Sequence, residues 1–263
     1  MHFTDQTQET ILLQAVPERI VSVVPSQTEL LYDLGLDKKV VGITSFCVHP
    51  AKWAASKPRI GGTKKLDIDK ITALAPDLVI ANKEENEKDQ VGLLKKHFPV
   101  WVSNVKTLAD AVSMIGEIGK LTAVRERSDK LIRDIQSAFA GLERKGKQLT
   151  VLYLVWRNPF MSVGSDTFIH DMLTRCNLKN LCEGKTRYPE LSSKEISGYN
   201  PDLIFLSSEP FPFSTRHVSE VQALCPGAQI RLVDGQYFSW YGSRLVHAPG
   251  YFKELVSKIA FAN

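Results

Sequence analysis

The sequence predicts an α/β fold of two similar lobes with parallel sheets, joined by a long helix. Three observations lead there. The segment Leu74-Ala75-Pro76-Asp77-Leu78-Val79-Ile80-Ala81 returns as Tyr199-Asn200-Pro201-Asp202-Leu203-Ile204-Phe205-Leu206, with the two prolines 125 positions apart (201 less 76). In each copy a proline stops a helix-like run, aspartate favours the turn, and the apolar run that follows reads as a strand buried on both faces. Strand and helix patterns alternate with short connections on either side of a stretch that has helical periodicity and no strand signal. A period this long does not describe a solenoid. It implies two lobes, and two lobes imply a cleft, the usual seat of a small ligand.

In chain order, residues 1–16 read as an extended lead-in with an edge strand around Ile11 to Leu13. The first strand is Arg19 to Val24. Ser26 and Glu29 have the capping-box spacing at the start of a helix that runs to Leu34 and stops at Gly35. Val40 to Ile43 is a second strand, followed by a loop through Phe46-Cys47-Val48-His49-Pro50. Gly61-Gly62 is a loop before a helix over Ile68 to Leu74. Leu78 to Ala81 is a strand, a helix follows over about Glu84 to His97, and Val100 to Val102 is a fourth strand. From Thr107 to Leu142 the apolar residues keep helical spacing, and Thr122 reads as the cap of a second segment after a break there. A span of roughly 35–40 residues would reach about 50–60 Å. The second lobe opens with Thr150 to Val155 and continues with a helix over Phe168 to Cys176. Strands over Leu203 to Leu206 and Gln229 to Val233 follow, and a helix over Pro249 to Phe261 closes the chain. The resulting division is 1–106, 107–146 and 147–263.

Length and composition narrow the class. The 263 residues suffice for one large domain or two small ones, and the net charge of +4 comes from interspersed signs. That balance points away from nucleic acid and from membrane surfaces. No apolar run of about 18 residues occurs, so no transmembrane helix is expected. The first residues carry no basic n-region, apolar h-region or lipobox cysteine, which predicts a cytoplasmic chain unless a leader has been trimmed. Cys47, Cys176, Cys182 and Cys225 form no C-x-x-C and read as buried free thiols. Phosphate-binding glycine loops and nucleophile elbows are missing, so catalysis is not expected.

Ligand sites of open α/β sheets lie beyond the C-terminal ends of strands. The loops there hold Ser26, Phe46, His49, Thr63, Asn82, Trp156, Arg157, Phe160, Trp240 and Tyr241. Trp156-Arg157 stands out, because an arginine there would hold a ligand carboxylate or phosphate, with a structural ion pair as the alternative. His49 could serve as an axial ligand to cobalt or iron, or be a plain loop histidine. His170, His217 and His247 share no metal-binding spacing. Glu84-Glu85-Asn86-Glu87 reads as the acidic start of a helix. Asp69 and Glu195 stand on the helices ahead of the two Pro-Asp turns.

Arg19 to Leu30, Val41-Gly42-Ile43-Thr44-Ser45, Ala73 to Ile80 and Ser193-Lys194-Glu195-Ile196 together resemble class III periplasmic binding proteins, the substrate-binding proteins of ABC importers. The resemblance covers roughly residues 17–260 and is closest to the vitamin B12-binding branch of this metal-receptor superfamily. It implies two Rossmann-like lobes on one helical backbone. It also implies a bound metal chelate (a corrinoid, haem or ferric siderophore), no intrinsic cofactor, a monomer and a permease partner. Asp69 and Glu195 fall at or near the carboxylates that dock permease arginines in that family, the second with a one-residue gap. Cleft tryptophans of the B12-binding branch correspond to Thr63, Asn82 and Glu190, which takes apolar contact area from the cleft. A cytoplasmic enzyme or metallochaperone on the same scaffold is the alternative.

Overall fold

A computed structural model describes residues 1–142 and 146–260. Residues 143–145 of the expected interlobe helix and Phe261 of the closing helix lie outside the described residues. The chain divides into two compact units. Unit 1 is Met1–Val105, Ala109–Gln136 and Tyr241–Val246, and unit 2 is Lys106–Leu108, Ser137–Trp240 and His247–Asn263. This differs from a division in chain order in two ways. Most of the central helical stretch belongs to unit 1, and so does a short piece of the C-terminal chain.

The sheet of unit 1 contains β1 (Ile20–Ser22), β2 (Val40–Ile43), β3 (Leu78–Asn82) and β4 (Val100–Ser103), all parallel, in the order β2-β1-β3-β4. The sheet of unit 2 contains β5 (Leu149–Leu154), β6 (Leu178–Asn180), β7 (Leu203–Ser207) and β8 (Gln229–Val233), again parallel, in the order β6-β5-β7-β8. The duplication read from eight residues thus extends to the topology of a whole sheet. β3 and β7 are buried at all five positions. They need no polar face because helices cover both sides of a parallel sheet.

The helices of unit 1 are α1 (Pro25–Asp33), α2 (Ala51–Ser56), α3 (Ile68–Ala73), α4 (Lys88–Lys95), α5 (Leu108–Leu121) and α6 (Arg125–Ala140), the last two shared with unit 2 at their ends. Unit 2 adds α7 (Phe168–Arg175), α8 (Ser193–Tyr199), α9 (Val218–Leu224), α10 (Gly235–Ser239) and α11 (Ala248–Ala260). Two short antiparallel pairs lie outside the main sheets: His2–Thr4 with Thr10–Leu12, and Phe160–Met161 with Glu190–Leu191. No helix among the described residues is long and apolar enough to cross a membrane.

The repeated Pro-Asp has a structural meaning in each unit. Ala75 and Asn200 both sit in the left-handed region, at φ 43° and 44°. The proline that follows disfavours right-handed helix at these positions, so α3 and α8 end there. The aspartate then ties the start of the central strand to the start of the first. Asp77 accepts from the amides of Glu18 and Arg19 at 2.7 and 2.9 Å. Asp202 accepts from Thr150 N and Thr150 Oγ1, both at 2.7 Å. These bonds hold the Asp202 carboxyl below its usual range. A depressed carboxyl stabilises the fold above the unfolded-state range and loses that contribution as the pH falls through the folded value. Asp202→Asn is therefore expected to cost about 1 kcal/mol at pH 7, a small figure because the group is largely solvated. Urea titrations should show the deficit shrinking toward pH 3. A deficit that does not change with pH would mean that the charge is not involved.

Three local expectations are corrected. Ser26 does not cap α1. Val24 occupies the N-cap and Pro25 begins the helix, because the fixed φ of proline suits the first helical position. Ser26 is thereby drawn inside. Glu84 to Glu87 do not open a helix. Asn82 Oδ1 accepts from the amides of Glu84 and Glu85, making a side-chain turn that delays α4 to Lys88. The break at Thr122 is present, but Thr122 ends α5 and does not cap α6. Its hydroxyl donates to Ile118 O at 2.7 Å. Ala123 takes φ 58°, and Val124 N returns to Gly119 O, a Schellman ending. The helices fold back on each other at Gly119, where a methyl group would run into Ser128 Oγ.

Candidate functional site

The loops at the C-terminal ends of the strands can be described in each unit. In unit 1 the loop after β2 alternates outward and inward. Phe46 is 62% exposed and Val48 51%, while Cys47 between them is fully buried. Cys47 Sγ lies 3.1 Å from Thr28 Oγ1 and 3.2 Å from Thr44 Oγ1, and burial raises its pKa, so it remains a thiol. Arg59 braces the loop from behind, donating to Thr44 O at 2.6 Å and Cys47 O at 3.1 Å. The loop is thus held firmly while offering two apolar side chains to solvent. The Phe46 ring lies over Gly62 of the neighbouring loop, where a Cβ would stand 3.0 Å from it. Thr63 is half-buried, and its carbonyl accepts from Asn86 Nδ2 at 3.0 Å.

After β3, Asn82 is 2% exposed and its side chain is fully engaged. Nδ2 donates to Ser103 Oγ at 3.0 Å, and Oδ1 holds the turn already described. Tyr241, brought in from the C-terminal chain, is 5% exposed and donates to Glu85 Oε1 at 2.7 Å. Burial and the Glu85 charge push the phenol pKa well above its ordinary value. Ser26 is 2% exposed beside it. His49 is half-buried, next to the proline that caps α2. Among the described residues no group of three or more His, Cys, Asp or Glu side chains could hold a metal ion.

In unit 2 the loop after β5 presents Trp156, 40% exposed, with its ring edge on Phe211 at 5.8 Å. Phe211 continues into Phe213 at 4.8 Å, so the indole stands on an aromatic base. Arg157 places its fork on Glu220, with Nε to Oε2 at 2.7 Å and Nη2 to Oε1 at 3.1 Å. That is the ion-pair alternative for this arginine. Phe160 is half-buried against the core cluster of unit 2. Glu190 is exposed and pairs across from Met161 in the short antiparallel ladder. Trp240 is 7% exposed and donates from Nε1 to Glu209 Oε1 at 2.9 Å. Beyond β7 and β8 lies a shallow depression of about 420 Å³ lined by Ser208, Phe213, Leu232, Val233, Asp234 and Gln236.

Both docking candidates are exposed. Asp69 stands in the first turn of α3, capped by Asp67. Glu195 is the N3 residue of a capping box with Ser192 and also meets Lys185 at 3.3 Å. The two caps, Asp67 and Ser192, are 125 positions apart (192 less 67), so Asp69 and Glu195 stand one helical position out of register.

The spacing of 125 also carries a signal beyond the strands. It relates Asn82 to Ser207 and Glu84 to Glu209, so each central strand ends in a polar turn-former followed by a carboxylate. The carboxylate grips on Trp240 and Tyr241 lie in these loops. Extending the repeat past Ala81 would have drawn attention to them.

Two parallel sheets of identical strand order, each with its loops at the C-terminal ends of the strands, define a duplicated α/β fold. Solved structures with this fold include the periplasmic haem-binding protein RhuT from Roseiflexus sp., with a TM-score of 0.79 at 20% identity over 93% of this chain and 98% of that one. The periplasmic vitamin B12-binding protein BtuF of Vibrio cholerae gives 0.76, also at 20% identity and the same coverage. Residues 20–223 match the periplasmic binding protein family, and the chain belongs to that family. It is 27% identical over 211 residues to the uncharacterized ABC transporter substrate-binding lipoprotein YvrC of Bacillus subtilis, spanning 76% of this chain and 67% of that one. It is 24% identical over 195 residues to the vitamin B12-binding protein of Vibrio parahaemolyticus, spanning 72% and 70%.

Proposed function

We propose that this chain is the solute-binding component of an ABC import system and takes a metal-bearing chelate with a broad apolar face. A corrinoid comes first, with haem or a ferric siderophore next. The observation that carries this reading is the presence, within a family of binding proteins, of two large exposed aromatics on strand-end loops. Phe46 is 62% and Trp156 40% exposed, while most other large apolar side chains are buried. Exposed rings on braced loops are the pattern of ligand contact, since they give area at little ordering cost. Arg157 and Asn82 serve their own loops, Trp240 and Tyr241 are held by carboxylates, and the reading rests on Phe46 and Trp156.

A thermal-shift screen with cyanocobalamin, haemin and ferric siderophores tests it. A ligand present at 100 times Kd should add about 2.7 kcal/mol of stability. Trp156→Ala should then weaken binding by about 1–3 kcal/mol in calorimetry without lowering the melting temperature of the free protein. No shift with any member of the panel would remove the chelate reading.

Asp69 and Glu195 are proposed to meet arginines of the permease. Asp69→Lys and Glu195→Lys should each abolish import and leave ligand affinity unchanged, because like charges would then face each other. Glu195→Gln separates docking from capping, since glutamine keeps the N3 role but not the charge. Import that survives both charge reversals would end the docking role.

A further inference from the structure

We propose that the short strand Thr10–Leu12 of unit 1 takes up an extended, acidic peptide segment of a partner protein along its outer edge. The strand pairs with His2–Thr4 on one side only. Leu13 N donates to Met1 O at 2.9 Å, and Asp5 N donates to Glu9 O at 2.8 Å. The odd-numbered residues of this antiparallel pair therefore bond to each other, and the main-chain groups of Thr10 and Leu12 point outward. Both residues are exposed. Among the described residues, the N–H and C=O groups of these two make no hydrogen bond. Such an edge is a template for a further strand.

The edge borders a groove of about 450 Å³, lined also by Lys96, His97, Phe98 and Val100. Val100 opens β4, the edge strand of the unit 1 sheet. Pro99 O accepts from Val79 N at 2.9 Å and Ser103 O from Lys83 N at 2.8 Å. By the same alternation Val100 and Val102 turn their main-chain groups away from β3. Those of Val102 are answered, N by Asp5 Oδ2 at 3.3 Å and O by Gln6 N at 3.1 Å. Those of Val100 are not, among the described residues, although Val100 is only 1% exposed. Buried main-chain groups without partners are rare in folded proteins. Asp5 and Gln6 thus stand in for a further strand beside Val102, and the groove begins where that cover stops. It lies at the start of β4, the opposite end of the sheet from the strand-end loops.

Two features define the occupant. The edge offers donors and acceptors in alternation, which a peptide main chain matches and a simple anion or cation does not. The charge of the groove favours an acid. Lys95 is taken by Glu9 at 2.5 Å, whereas Lys96 makes no ion pair among the described residues. A carboxylate on the incoming strand would answer Lys96, and the exposed Leu12 gives an apolar side chain to pack against.

A capped hexapeptide, Thr-Val-Glu-Val-Thr-Val, tests the edge by NMR on the full chain. Saturating peptide should slow hydrogen exchange of the Thr10 and Leu12 amides at least tenfold. An analogue methylated at every amide should not bind. Leu12→Pro removes one outward donor and none of the bonds to His2–Thr4, a change that edge strands tolerate. It should weaken binding at least tenfold at an unchanged melting temperature. Lys96→Glu should weaken binding several-fold, and more at low salt than at high salt. Should Leu12→Pro fail to fold, the methylated analogue makes the same test from the peptide side. Exchange that the peptide does not slow overturns the proposal, and so does binding that survives methylation or Leu12→Pro. A dimer of the free protein in sedimentation, lost on Leu12→Pro, would give the edge to a second copy and overturns it as well.

Discussion

Arg244→Met should destabilise unit 1 by about 3 kcal/mol, because it leaves the Glu29 carboxylate in a site with little water. The side chains of the pair are only 14% and 17% exposed, and both guanidinium contacts are made with good geometry. An exposed pair of the same kind, such as Lys130 with Asp134, should give no more than a few tenths of a kcal/mol on the equivalent change. The double variant Glu29→Gln with Arg244→Met should recover part of the loss, since it removes the stranded charge along with its partner. Urea unfolding of the single variants, the double variant and the parent completes the cycle. A single-variant loss below about 0.5 kcal/mol would place this pair with the surface ones.

Phe238→Ala should cost unit 2 about 3–5 kcal/mol. Phe238 is fully buried on α10 and is the hub of an aromatic cluster. Its ring centroid lies 5.2 Å from Tyr153, 6.1 Å from Phe205 and 4.8 Å from Phe252. Those partners sit on β5, β7 and α11, so truncation opens a cavity where three elements meet. Tyr153 and Phe205 contact each other directly at 6.3 Å, and the site therefore cannot simply collapse around the missing ring. Calorimetry should show a lowered transition for the variant. A loss under about 1 kcal/mol would mean that the neighbours fill the space.

The candidate site was only partly legible. Phe46 and Trp156 were drawn from the sequence because they follow strands, and the fold exposes both. Trp240, Tyr241 and Asn82 were drawn for the same reason, yet the fold buries them under hydrogen bonds to Glu209, Glu85 and Ser103. Loop position does not reveal whether a side chain turns to solvent or back to a partner. For Trp240 and Tyr241 the partners lie 31 and 156 residues away.

The sequence by itself determined the pattern that local physics controls. Pro-Asp followed by an apolar run stops a helix, makes a turn and starts a buried strand, and the repetition of that unit implied two sheets. Gly35 after α1 fixed a helix end through its neighbours in the chain. Short elements escaped, among them β6, α9 and α10, because a few residues give too little periodicity to read. Only the tertiary structure decided that Tyr241–Val246 belongs with α1. Contacts made across a hundred or more residues leave no spacing in the sequence, since their partners meet only after both elements have folded.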